Sequence, residues 1–272
     1  MRYYNYLTTP SGKYCTLHEL TNREYLILLK FLQADNYKGF FENLDLKIKE
    51  TIEDFDDFNI VDKCYVYLAL CTYCIRSVAR VSNNFIGDQE VELTLLLNNI
   101  EKSYQEKRIH YRVSEKIDVV FGVPTKFYVD TNNNIVIDYL SNVISINDRN
   151  LTTSEVERFL TNISTKLKIQ MEETVMDNLT EKFDIFENVP MNKLELPLFR
   201  FPLILNIANV YRIGLKSFYD VLYMSQKHAK MSYDGFMDLT YAETDIILKT
   251  CLEEKQREAE QMDAAMNNNQ EG

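Results

Sequence analysis

Apolar side chains near the start of the chain recur three or four residues apart, the spacing of one buried face of an α-helix. They are Tyr25, Leu28, Leu29 and Leu32. Thr21 and Glu24 form a capping box where this helix should begin, because each side chain can accept the other residue's backbone N–H. Before it, two short aromatic segments flank a Pro-Ser-Gly turn within 2–20, which predicts a β-hairpin.

Two further helices are predicted in the N-terminal region, the second over 37–55 and the third over 60–81. The third contains the longest apolar run of the chain, residues 64–75, and its middle turns are apolar on all sides. A helix without a polar face belongs inside a core. We therefore expect it at the centre of an N-terminal helical bundle. Residues 91–105 fit a short strand as well as a helix.

The pattern changes at about residue 108. Short segments rich in β-branched and aromatic residues are separated by Asn, Gly and Pro, which predicts strands and turns over 108–147. Helical spacing returns at residue 152 and predicts one long helix or two in succession. After a proline-rich stretch, helices resume from about 203 or 216, and the last begins at a second capping box at Thr240.

These patterns predict an α+β fold that is predominantly helical. It comprises an N-terminal β-hairpin with a helical bundle, a central β segment and a C-terminal helical region. The boundaries are 1–107 for the N-terminal hairpin and helical region, 108–150 for the central β segment and 151–254 for the C-terminal helical region. Residues 255–272 form a polar tail, which we expect to fray.

The charge and the apolar content of the chain exclude some classes of binding partner. The net charge of −11 opposes binding to phosphate backbones, so we expect no nucleic-acid partner. The longest apolar run, residues 64–75, is too short to cross a bilayer, and the N-terminus has no apolar signal core. We therefore expect no membrane association and synthesis in a reducing cytoplasm.

Catalytic motifs are missing from the sequence. It contains no P-loop, no dinucleotide-binding glycine fingerprint and no nucleophile elbow. The three histidines, His18, His110 and His228, lie in separate segments without metal-binding or catalytic spacing. We predict that the protein is not an enzyme and has no catalytic residues and no cofactor.

The cysteines suggest an alternative function, metal binding or redox chemistry. Cys71 and Cys74 form a C-x-x-C pair, and Cys64 lies one heptad upstream. Three thiolates could hold zinc or form a redox centre. The other interpretation is core packing, because these cysteines lie in the most apolar helix and buried free cysteine behaves as a small hydrophobe. We favour core packing and predict no metal.

The segment 215–254 predicts a helix, a turn and a second helix, with an aromatic stripe on the first. The stripe is formed by Phe218, Tyr219, Leu222 and Tyr223. We predict that Phe218 and Leu222 belong to the core. We expect Tyr219 and Tyr223 at its margin, where the hydroxyl groups tolerate water and the rings can contact a partner protein.

The last helix should contribute to the same module. Ile246, Ile247 and Cys251 are expected to pack against part of the stripe. If the stripe is entirely core, the acidic last helix after Glu253 becomes the expected binding surface.

Both ends of the chain carry a common signature. The opening "TTPSGKYCTLHELTNREYLILLKFL" has a Pro-Ser-Gly-Lys turn, a short strand and a Leu-Thr-x-x-Glu-Tyr helix start. The segment "LKSFYDVLYMSQKHAKMSYDGFMDLTYAETDIILKTCLEE" pairs an aromatic helix with a second Leu-Thr-x-x-Glu start. The matching positions are Phe218, Tyr219, Leu239, Thr240 and Glu243. This signature resembles the baseplate hub assembly proteins and tail-assembly chaperones of T-even-like contractile-tailed bacteriophages. Members of that family often have an arginine beside the last glutamate, where this chain has Thr244 and Asp245.

The resemblance implies a non-enzymatic assembly or structural role at the tip of a phage tail, without a cofactor. Its partners would be other tail and baseplate hub proteins, with the tape-measure protein as a further candidate. It would act in the host cytoplasm during assembly and could stay in the baseplate of the virion tail. Two alternatives remain open: a tail-assembly (tape-measure) chaperone absent from the mature virion, and a cysteine-based metal-binding or redox protein.

Overall fold

The computed structural model describes residues 4–83, 87–104, 108–180 and 204–268. It is α+β and mainly helical, with an N-terminal hairpin, a central sheet and C-terminal helices, which confirms the predicted fold class. None of the helices described is both long enough and apolar enough to span a bilayer.

The N-terminal region contains the predicted hairpin and three helices. The elements are β1 Tyr4–Thr8, β2 Tyr14–His18, α1 Asn22–Gln33, α2 Tyr37–Lys49 and α3 Ile60–Cys74. The strands pair antiparallel, and Gly12 supplies the positive φ of +89° that their turn requires. The capping box of Thr21 and Glu24 is present at the start of α1. Thirteen of the residues of α3 are buried, so its predicted central position is confirmed.

Both α2 and α3 end earlier than their apolar patterns predict. After Lys49, the amides of Glu50 and Thr51 donate to carbonyls three residues back, which tightens the last turn of α2. A short 3-10 helix, Phe55–Asp57, begins at the residue where the predicted helix was expected to end. The predicted extension of α3 to residue 81 is also wrong. Arg76 donates from Nε to the Val210 carbonyl, 3.1 Å away, and the chain turns into a strand.

The segment after α3 forms a second hairpin and a helix. They are β3 Val78–Asn83, β4 Gly87–Glu92 and α4 Leu93–Ser103. The ambiguous stretch 91–105 is therefore the end of a strand followed by a helix. The apolar side of α4 packs on α3 through Leu93, Leu96 and Ile100, which are all buried.

The central β segment is confirmed. Its strands are β5 Ile109–Ser114, β6 Ile117–Phe121, β7 Lys126–Val129, β8 Ile135–Asp138, β9 Val143–Ile146 and β10 Arg149–Asn150. Four of them form an antiparallel sheet in the order β10-β9-β6-β5, and β7 pairs with β8 as a separate hairpin. The carboxylate of Asp130 accepts the amides of Asn132 and Asn134, each at 2.8 Å, and closes the predicted turn between β7 and β8.

The C-terminal helical region contains six helices among the described residues. They are α5 Thr153–Asn162, α6 Thr165–Thr180, α7 Ile204–Tyr211, α8 Leu215–His228, α9 Tyr233–Met237 and α10 Tyr241–Asn268. A capping box of Thr152 and Glu155 starts α5, and two helices follow rather than one. The predicted proline-rich loop lies outside the described residues. Helix α10 continues to Asn268, through most of the predicted polar tail.

Buried hydrogen bonds join the two ends of the chain into one core. The Tyr25 hydroxyl donates to the Tyr211 carbonyl, and the Tyr211 hydroxyl donates to the Tyr67 carbonyl, each at 2.7 Å. The side-chain amide of Asn22 donates through Nδ2 to the Phe236 carbonyl at 2.8 Å and to the Thr244 hydroxyl at 2.9 Å. Because buried polar groups are costly to leave unpaired, these contacts fix the C-terminal helices against α1 and α3.

Candidate functional site

The aromatic stripe on α8 is divided between core and surface. Phe218 and Leu222 are buried, whereas Tyr219 is 46% exposed and Tyr223 is 59% exposed. Side chains four residues apart lie on one side of a helix, so the two tyrosines form a continuous edge. We call Tyr219 and Tyr223 the tyrosine edge. The predicted division of the stripe by burial is confirmed.

The buried half of the stripe fixes the position of α8. The Phe218 ring lies 6.2 Å from the Tyr25 ring, 5.5 Å from the Phe236 ring and 6.0 Å from the Tyr241 ring, measured between centroids. These rings come from α1, α9 and α10, so one side chain connects four helices. The tyrosine edge is therefore presented by a rigid helix.

Charged side chains border the tyrosine edge. The Lys227 ammonium lies 5.8 Å from the centroid of the Tyr223 ring, within the range of a cation–π contact. The pKa of His228, the last residue of α8, is lowered, first by desolvation and then by Lys255, Lys227 and Lys230. The C-terminal end of α8 is thus a small basic corner beside exposed aromatic rings.

One expected contact of the stripe is wrong. Ile246 is 64% exposed, so it is not a buried packing residue as predicted, whereas Ile247 and Cys251 are half-buried. The side of α10 that faces the core carries Thr244 and Leu248, which are both buried. Ile246 lies two residues from each of them, about 160° round the helix at 100° per residue, so it faces outward.

The three cysteines of α3 lie inside the core. Cys64, Cys71 and Cys74 are buried, and Cys74 Sγ accepts the Leu20 N–H at 3.1 Å. Burial raises the pKa of Cys71 to about 12 and also raises the pKa values of Cys64 and Cys74. Within the described residues, no three His, Cys, Asp or Glu side chains are grouped so as to hold a metal ion. This arrangement favours core packing over the metal or redox alternative.

Thiol labelling tests that interpretation. The chain has five free cysteines, and only Cys251 is not buried. In the folded protein we expect a thiol-specific reagent to modify about one thiol per chain rapidly, because access and thiolate formation control the rate. All five should react after unfolding. Rapid labelling of a second thiol, or stoichiometric zinc that Cys71→Ser abolishes, would contradict core packing.

The other polar candidates have structural roles. The His110 ring is 2.9 Å from the Asp118 carboxylate on the exposed side of the central sheet, and the three histidines belong to three different elements, β2, β5 and α8. A cleft of about 440 Å³ lies between the β1–β2 turn and the central sheet. Its polar lining includes Ser11, Asn59 and Asn142, which hydrogen-bond to protein groups.

Sequence reasoning missed one buried polar contact at that cleft. The Asp62 carboxylate is fully buried and accepts hydrogen bonds from the Ser11 hydroxyl at 2.5 Å, the Ser11 amide at 3.1 Å and the Asn59 side chain at 2.9 Å. The sequence contained one signal for this contact, because Asp62 is a charged residue within the most apolar helix. The contact joins the hairpin turn to the start of α3.

Comparison of the chain with protein-family models, with curated proteins and with solved structures gives no match. A functional assignment therefore depends on the residues themselves: the tyrosine edge, the buried thiols and the signature at the two ends of the chain.

Proposed function

We propose that the protein is a non-enzymatic assembly or structural protein of the baseplate hub of a contractile phage tail. In this role it would act through contacts with other tail proteins. The observation that carries the proposal is the tyrosine edge, held on a rigid helix within a segment that resembles phage hub assembly proteins. The contacts of the thiols and histidines give no support to an enzymatic role.

The chemistry of the tyrosine edge suits protein binding. Tyrosine is enriched at the energetically important positions of interfaces, because a rigid ring buries a large area while its hydroxyl group stays hydrated. Tyr219 and Tyr223 have this character, and Lys227 beside them supplies part of a polar rim. Partners would be other hub or tail components, including the tape-measure protein.

Replacing both residues of the tyrosine edge tests the proposal. We expect the double variant Tyr219→Ala, Tyr223→Ala to keep its melting temperature within a few degrees, because exposed substitutions change stability by about 0.5 kcal/mol or less. Co-purification with tail components from infected cells should fall strongly. Tyr128→Ala is the matched control, since Tyr128, at 55% exposure, lies between the two in exposure but belongs to β7 of the central segment.

Two results would contradict this assignment. Unchanged co-purification by a folded double variant would remove the tyrosine edge as the binding surface. A loss of about 3–5 kcal/mol in the stability of the double variant, the usual cost of removing a fully buried phenylalanine, would show that the whole stripe belongs to the core.

A tail-assembly chaperone would use the same surface, so a different measurement separates it from a hub subunit. Mass spectrometry of purified virions should detect the protein if it stays in the baseplate. A chaperone should be present in the host cytoplasm during assembly and missing from the virion. The neighbouring genes give a further test, because a position among metabolic genes would count against any role in the tail.

A further inference from the structure

Helix α10 extends beyond the helices that support it. It has 28 residues, a length of about 42 Å at 1.5 Å per residue. Its first turns pack on α8 and α3. Near its midpoint, Lys255 Nζ lies 3.2 Å from the Nδ1 atom of His228, the last residue of α8. The rest of α10 therefore continues past the end of its neighbouring helix.

The side of α10 that faces its neighbours continues as an apolar stripe. Thr244 and Leu248 are buried, and Lys255 reaches the end of α8. Steps of four and three residues from Leu248 lead to Leu252, Lys255, Ala259 and Met262. Such spacing is that of a seam between two packed helices. Leu252 and Ala259 are exposed, and Met262 is 59% exposed. We call Leu252, Ala259 and Met262 the distal stripe.

The exposed second half of α10 has little stability of its own as a helix. Every residue from 252 to 262 is exposed. Isolated helices shorter than about 12–15 residues are marginal in water, and most helices in proteins are stabilised by packing of an apolar face. A second helix laid along the distal stripe would supply that packing and would continue the interface that α8 makes with the first half of α10.

Charge indicates what kind of helix fits. Between residues 253 and 263 the chain has five acidic and two basic residues. Arg257 is paired with Glu253 at 3.9 Å, and Lys255 points to His228. The remaining glutamates are exposed: Glu258 borders the distal stripe, and Glu254 and Glu260 lie on the outer side of α10. A second copy of α10 would bring the same acidic groups together, so charge disfavours self-association and favours a basic partner.

We propose that the distal stripe is a docking surface for an amphipathic helix of another protein, with basic residues beside its apolar face. The partner helix would lie along α10, end to end with α8. This inference shares with the proposed function the premise that the C-terminal module binds protein. It concerns a different surface from the tyrosine edge, and each surface can fail without the other.

Peptide binding to the full-length protein tests the inference. The probe is a fluorescent 21-residue peptide with leucine at the a and d positions of each heptad and lysine at e and g. We expect saturable binding by fluorescence anisotropy, weakened by salt, and accompanied by a gain in helicity. A peptide with glutamate at e and g should bind at least about tenfold more weakly, a difference of about 1.4 kcal/mol.

Two neighbouring substitutions provide the matched control. Met262→Glu places a charge in the distal stripe, and we expect it to weaken binding of the lysine peptide about tenfold or more. Gln261→Glu makes the same change in charge one residue away on the outer side of α10 and should leave affinity within about twofold. Equal effects of the two variants, or stronger binding by both, would reduce the interaction to non-specific attraction and overturn the inference.

Two further outcomes keep this inference separate from the proposed function. The Tyr219→Ala, Tyr223→Ala variant should bind the lysine peptide like the wild-type protein, whatever it does to tail components. Sedimentation analysis should show no dimer that Met262→Glu dissociates. Such a dimer would make a second copy of this chain the occupant and would reject the basic partner.

Discussion

Replacing Phe218 by alanine should lower the free energy of unfolding by about 3–5 kcal/mol, the usual cost of removing a fully buried phenylalanine. The ring is fully buried and lies within 6.2 Å of the Tyr25, Phe236 and Tyr241 rings, measured between centroids. Edge-to-face and stacked aromatic pairs add about 0.5–1.5 kcal/mol to the energy of burial. Urea denaturation, followed by far-ultraviolet circular dichroism, measures the difference.

The neighbouring residue gives the comparison for this prediction. Tyr219→Ala removes a ring of similar size from the exposed side of the same helix, and we expect a loss within about 0.5 kcal/mol. Phe218→Leu should fall between the two and remains measurable if the alanine variant does not fold. A loss below about 1 kcal/mol for Phe218→Ala would mean that α8 is not anchored by this ring.

Local signals predicted most of the elements and their starting points. The threonine and glutamate capping boxes at the starts of α1 and α5 are present, and Thr240 and Glu243 exchange backbone hydrogen bonds of 2.9 and 3.1 Å at the start of α10. Each box involves groups within four residues, so it can be read from a short segment. The same holds for the Pro-Ser-Gly turn and for the turn that Asp130 closes with Asn132 and Asn134.

The end of α3 depended on distant residues and was predicted less well. The apolar run of α3 continues past Cys74, but Arg76 donates to carbonyls of Val210 and Arg212. These partners are more than 130 residues away along the chain. The spacing of apolar residues within 60–81 gives no information about these distant partners. The prediction for Ile246 failed for a similar reason, because the face of α10 that turns inward is selected by contacts with Phe218 and Asn22.

The candidate site, too, was predicted only in part from local signals. The spacing of Phe218, Tyr219, Leu222 and Tyr223 predicted one stripe. The residue types predicted which members are buried, because tyrosine carries a hydroxyl group that tolerates water at the margin. The distal stripe required the structure. Its apolar positions are mixed with lysine and glutamate, and only the end of α8 at His228 reveals that α10 continues without a neighbouring helix among the residues that the structure describes.

Stability should fall steeply above pH 9. Burial raises the pKa of Cys71 to about 12 and raises those of Cys64 and Cys74, whereas a thiol in an unfolded chain has a pKa of about 8.5. A raised folded-state pKa means that the stability contributed by the neutral thiols is fully present below the unfolded pKa. It is lost as the pH rises towards the folded pKa.

The size of the loss follows from linkage. Each thiol that ionises only in the unfolded chain removes about 1.4 kcal/mol per pH unit. Burial also raises the pKa of Cys15 to about 11, so these four buried thiols together remove about 5–6 kcal/mol per pH unit. Above pH 10 the buried hydroxyls of Tyr25, Tyr67 and Tyr211, whose pKa values are also raised by burial, add to the slope. With a typical stability of about 5–15 kcal/mol, the protein should unfold between about pH 9.5 and 11.

Urea denaturation in reducing buffer between pH 8 and 10 measures this slope, and two variants assign it. Cys64→Ala should reduce the slope by about 1.4 kcal/mol per pH unit. Cys251→Ala, at the half-buried cysteine of α10, is the control and should leave the slope almost unchanged. A thiolate that binds zinc or acts in redox chemistry is already deprotonated near neutral pH, so its removal would not reduce the slope. The alkaline slope therefore distinguishes cysteines that pack in the core from cysteines that bind a metal.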